Sequence, residues 1–120
     1  MIRLVTVLMM PLTAFAGVVT VRDDAGLREA IIRLKPGDVV RVAPGNYQPG
    51  LSVRDVRGTA EKPVVVEALD PKSPPVFEGG NQAWHLTDVS HFTLRGLVCR
   101  KQKANGINLD DGGSFDTPSE

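Results

Sequence analysis

The residues that could do chemistry fall late in the chain. Asp110 and Asp111, with Asp116 close behind, could supply oxygen ligands to calcium. The full calcium-loop spacing is absent, and Asp110 to Gly113 also read as a polar turn, which turn propensity favours. Arg100, Lys101 and Lys103 make a basic patch on which an acidic polysaccharide could dock through charge. A solvated loop is the plainer account of such a run. His85 and His91 are the two histidines and could act as an acid–base pair, with Asp88 the one nearby carboxylate. They flank separate strand runs, so ordinary satisfied histidines are favoured. Trp84 and Tyr47 could stack on sugar rings or fill the core. Asn81, Asn105 and Asn108 could form side-chain ladders between stacked strands, a structural role. Cys99 sits in an apolar run and reads as a buried small hydrophobe. No phosphate loop, zinc spacing or nucleophile elbow is present.

These residues must be positioned by short strands. Of 120 residues 42% are hydrophobic, yet one Trp, one Tyr and four Phe leave the core to aliphatic side chains. That suits stacked strands, and 12 Gly and 9 Pro imply many turns between them. Strand runs are expected at Val18 to Arg22, Val39 to Val42, Leu51 to Val53, Val64 to Leu69, Val76-Phe77, Trp84 to Leu86, Phe92 to Leu94, Leu97 to Cys99 and Ile107 to Leu109. One helix is expected after Asp24 as N-cap, with Leu27, Ala30, Ile31 and Leu34 on its apolar face and Lys35-Pro36-Gly37 ending it. This pattern has two solutions, an antiparallel sandwich or barrel and a β-solenoid. The helix could cap the end of a coil stack, and runs of two-residue hairpin turns are lacking apart from Asn105-Gly106. The expected class is therefore all-β, a solenoid with a short N-terminal capping helix. At roughly 20–30 residues per coil it would hold about three or four coils.

The first sixteen residues have a different character. Arg3 supplies a positive start, Leu4 to Met10 are apolar, and Ala14-Phe15-Ala16 places small residues where a signal peptidase reads. Residues 1–16 are expected to be a secretory leader cleaved before Gly17, leaving 17–120 as the β domain, secreted or periplasmic. The run is too short to span a bilayer, so no membrane association is expected after cleavage. Formal charge is 14 − 14 = 0 for the chain, and 13 − 14 = −1 once Arg3 is lost. Such a balance excludes nucleic acid as an expected partner. A single cysteine excludes an internal disulfide.

Lys35-Pro36-Gly37-Asp38-Val39-Val40-Arg41-Val42-Ala43-Pro44-Gly45-Asn46-Tyr47 resembles the opening segment of right-handed parallel β-helix (pectate-lyase-like) proteins. It is similar to the start of the polysaccharide lyases that include chondroitinase B and alginate lyases. Gly58-Thr59-Ala60-Glu61-Lys62-Pro63-Val64-Val65-Val66, Phe77-Glu78-Gly79-Gly80 and Phe92-Thr93-Leu94-Arg95-Gly96-Leu97 continue the match, which covers roughly Asp24 to Leu109. The resemblance implies a parent that cleaves a uronate-containing glycan by β-elimination. On that resemblance a basic residue takes the C5 proton while a cation, expected to be calcium in the full-length parent, holds the carboxylate. The family's catalytic Lys and Arg lie in later coils, so no catalytic residue is assigned here. The expectation is a truncated N-terminal part of such a protein, itself inactive. The alternatives are a non-catalytic carbohydrate-binding or surface module and a solenoid that pairs its open end with another chain.

Overall fold

The computed structural model describes residues 17–111. The expected leader and Asp116 lie outside the described residues. The chain runs β1 (Val18–Val21), α1 (Asp24–Ile32), β2 (Val39–Val42), β3 (Asn46–Tyr47), β4 (Leu51–Arg54), β5 (Val64–Ala68), β6 (Val76–Glu78), β7 (Trp84–Thr87), β8 (Phe92–Arg95), β9 (Val98–Arg100) and β10 (Ile107–Asp110).

Every strand pairing among the described residues is parallel. That disposes of the antiparallel alternative. Three sheets form, in the orders β1-β2-β5-β8, β3-β6-β9 and β4-β7-β10. From β2 onward the chain visits them in rotation, so each circuit of three strands lies on the one before. Asn105-Gly106 is no hairpin turn: it leads from β9 to β10, which pairs with β7 in another sheet.

Alternation along each strand sorts side chains into an apolar interior and a polar exterior. In the first sheet the interior columns are Val40, Val66 and Leu94, and Val21, Val42 and Ala68. Leu51 and Val53 register with Trp84 and Leu86 in the sheet of β4 and β7. Tyr47, Phe77 and Cys99 form the column through β3, β6 and β9. Phe77 is fully buried. Its ring stacks on Tyr47 at 5.6 Å between centroids and meets Trp84 edge-on at 5.5 Å. Tyr47, Phe77 and Trp84 thus meet at one place, where Phe77 ties two sheets together.

The helix begins one residue earlier than expected. Asp23, not Asp24, is the N-cap; it has extended backbone angles, and its carboxylate accepts from Gly26 N. Asp24 Oδ1 instead accepts from Gln48 N at 2.8 Å, tying the helix to the turn after β3. Leu27 and Ile31 are buried, with Ala30 and Leu34 packed against the same core. The expected apolar face therefore covers the first circuit. No helix among the described residues is long and apolar enough to cross a membrane.

β3 was not expected, because Pro44-Gly45-Asn46 reads as turn. It is a two-residue strand whose Tyr47 is buried and donates its hydroxyl to Ala43 O at 2.8 Å.

Removing the Phe77 ring should leave a cavity bounded by two sheets. Phe77→Ala is expected to lower unfolding free energy by about 3–5 kcal/mol, read from urea unfolding. At Gly58 an added Cβ would lie 2.7 Å from His91 O and 2.9 Å from Lys62 O, both backbone atoms. Gly58→Ala should cost about 1–3 kcal/mol in the same measurement.

Candidate functional site

The exterior faces carry the polar side chains, and stacking decides which of them meet. On the first sheet Arg41, Glu67 and Arg95 occupy one exterior column. Arg41 Nε donates to Glu67 Oε2 at 3.1 Å, and Arg95 Nε donates to Glu67 Oε1 at 2.9 Å. Glu67 is held between two guanidiniums, whose hydrogen bonds, from Arg95 first and then Arg41, keep its carboxyl below the usual range. The two arginine side chains remain 45% and 64% exposed, so this strip still presents guanidinium groups to solvent.

The basic patch is broken up by the same geometry. Arg100 Nε donates to Glu78 Oε1 at 2.8 Å, and Lys101 Nζ lies 3.8 Å from that oxygen. Lys101 has φ 60, which turns the chain out of β9. Lys103 is exposed, and its backbone N–H bonds Gly80 O at 2.9 Å. Arg100 and Glu78 border a shallow cleft of about 370 Å³ with Asn46, Tyr47, Gln48 and Pro49. Gln102 closes the corner by donating to Phe77 O and Gly79 O at 2.9 and 3.1 Å.

On the sheet of β4, β7 and β10 Ser52, His85 and Asn108 form an exterior column, and Arg54 and Asp110 register on either side of Thr87, which is buried. His85 Nε2 and Asp110 Oδ2 are 2.5 Å apart. Asp110, first read as a calcium ligand, thus partners a histidine 25 residues away. Asp88 pairs with the Arg57 guanidinium. His91 lies in the turn before β8, with φ 47. Asp111 is half-buried and follows β10. Among the described residues no group of three or more His, Cys, Asp or Glu could hold a metal ion. Asn108 registers with His85 and not with another asparagine, so an Asn ladder does not form there.

Trp84 is fully buried, so it is a core residue and not a sugar platform. Tyr47 is likewise buried, and that burial, with Asp24 and Asp23 nearby, pushes its hydroxyl pKa up. Burial also raises the Cys99 thiol, which keeps it protonated. Neither Glu67 nor Glu78 was singled out in the sequence. The signal lay in charge alternation at strand positions one circuit apart, which is legible only once the register is known.

The comparisons bear on the fold. No family model matches the sequence, and no curated protein matches it. A solved structure of PL6 family alginate lyase AlyGC is similar, with a TM-score of 0.65 and 19% identity. The likeness covers 87% of this chain and 14% of that one. A point variant of the same lyase matches to the same extent.

Glu67 connects three strands through charge, so its contribution should depend on pH. Its carboxyl is lowered in the folded chain, so the stabilisation is present above the unfolded pKa and lost as pH falls through the folded one. Glu67→Gln should reduce stability by about 1 kcal/mol at neutral pH and low salt. The gap between the two proteins should close in acid and shrink at high salt, as read from denaturation midpoints.

Proposed function

We propose that this chain forms the opening coils of a right-handed parallel β-helix in an exported protein that acts on polysaccharide. The observation that carries this reading is the rotation of the chain through three parallel sheets, matched by the alginate lyase over 87% of the chain. Right-handed coiling is the expected hand for parallel crossover connections. The substrate class on this reading is a uronate-containing, acidic glycan, and the reaction of the parent is β-elimination.

The residues of this chain have supporting parts in that scheme. α1 closes the first circuit with Leu27 and Ile31, the Tyr47–Phe77–Trp84 cluster holds two sheets together, and Glu67 clamps three strands from outside. Asp110, a candidate oxygen ligand, bonds His85. Calcium, and the base that removes the C5 proton, belong on this reading to other coils of the parent. The exposed guanidiniums of Arg41 and Arg95 favour a second role for the same exterior face, retention of an acidic glycan without chemistry.

The test is an assay of the isolated chain on alginate and other uronate glycans for unsaturated uronate products. No product is expected. Product formation would place catalysis within these circuits and overturn the assignment of support. Retention on an alginate column that Arg41→Ala with Arg95→Ala abolishes would establish the binding role, and unchanged passage of both proteins would remove it.

A further inference from the structure

Gly17 is held on both sides. Its N–H donates to Asp38 Oδ1 at 3.1 Å, and its carbonyl accepts from Val39 N at 3.0 Å. Asp38 is itself fixed: its Oδ2 accepts from Lys35 N at 2.9 Å, and its own N–H bonds Lys35 O at 3.0 Å across the Pro36-Gly37 turn. The carboxylate is therefore a preset acceptor facing the nitrogen of a residue 21 positions earlier. An exposed amide N–H at the start of an edge strand can be satisfied by water, so a charged acceptor there is more than an amide requires.

The sequence places a leader-peptidase cut between Ala16 and Gly17. We propose that Asp38 is the docking site for the α-ammonium group that this cut creates at Gly17, so that leader removal turns an amide hydrogen bond into an ion pair fastening β1 to β2. This rests on the export reading given above. The step is a hydrolysis that a leader peptidase catalyses. Water adds across the Ala16–Gly17 amide, the C–N bond breaks, and Ala16 departs as a carboxylate. The Gly17 nitrogen keeps the bonding electron pair and takes up both protons of the water, which makes it an ammonium group.

The surroundings suit that product. Gly17 is exposed, and nothing lies within 4 Å of where a Cβ would stand, so there is room for a hydrated ammonium. Arg22, Asp23, Glu29, Arg33, Lys35 and Asp38 are the charged groups around the same cavity of about 620 Å³. Asp23 is engaged as the helix cap and Glu29 pairs with Arg33 at 3.1 Å. Asp38 is the carboxylate that reaches Gly17. β1 gains from the anchor, since among the described residues it pairs with β2 alone and exposes Val18 and Val19 by 60% and 44%.

The experiment starts with N-terminal sequencing of the protein exported from its own gene, which should begin at Gly17. The α-amine of that protein and of Asp38→Asn is then titrated by NMR. The amine should titrate higher in the wild type, and its acylation near neutral pH should be about two- to fivefold slower. A third sample, the wild-type protein acetylated at Gly17, serves if the variant does not fold. The paired amine titrates above its unfolded value, so its stabilisation is complete below that value, about 7.7–8.0, and lost as pH rises through the folded one. The free protein should therefore melt above the acetylated one at about pH 6 and together with it at about pH 10. A retained leader, or a start elsewhere, overturns the export reading and the ion pair with it. A start at Gly17 with no difference in titration or melting overturns the ion pair alone.

Discussion

The structure depends on parallel strands stacking in register. A parallel strand leaves N–H and C=O groups on both edges, and neither edge can be satisfied by the strand's own sequence neighbours. Each circuit therefore uses the next as its hydrogen-bond partner, as β5 does with β2 on one side and β8 on the other. Register then fixes the side chains as well. A residue's decisive neighbour is the one above or below it in the stack, as for Val66 between Val40 and Leu94. One residue of slip would put Glu67 into the core and Val66 into solvent.

Such a constraint places its demands on the corners. Where the chain leaves one sheet for another it must turn sharply without breaking the stack. Asp55 and Asp88 do this at matching positions, each just after a strand of the same sheet, with φ of 57 and 54. Aspartate tolerates the left-handed region better than most side chains. The backbone ladder continues through the bend: Asp55 N bonds Thr87 O at 3.0 Å, and Asp88 N bonds Asp110 O at 2.9 Å. These acidic residues hold corner positions, which accounts for their recurrence without appeal to a ligand.

Much of the fold was legible because alternation and turn residues are local signals. The strands lie within a residue or two of where valine-rich runs place them, and Leu27, Ala30, Ile31 and Leu34 do face the core. β3 was missed because Asn46 belongs to a turn-like triplet, and only the pairing of Tyr47 with Phe77 makes it a strand. The cap was misplaced by one residue because Asp23 and Asp24 are equivalent on paper. Tertiary contact separates them: Asp23 takes Gly26 and Asp24 takes Gln48. The candidate sites were less legible for the same reason. Arg100 and Lys101 read as a basic patch because the carboxylate that meets them, Glu78, lies on β6 in the preceding circuit.

In a stacked fold, then, charge clusters along the sequence are poor guides to charge clusters in space. Neighbours in sequence alternate inside and outside, or leave a strand for a corner, while charges 22–28 residues apart become contacts. Arg41 and Arg95 share Glu67, which leaves the column with a net positive charge and partly free guanidinium donors. Along the stack they stand two strands apart, about 10 Å at parallel-strand spacing. A polymer whose anionic groups repeat along its length meets such a face best when it runs along the stack, because register repeats the donors in that direction. Extending the stack would extend the face without changing any one coil. The charge pattern of such a face is therefore set by the vertical order of exterior residues, which no single segment of the sequence displays.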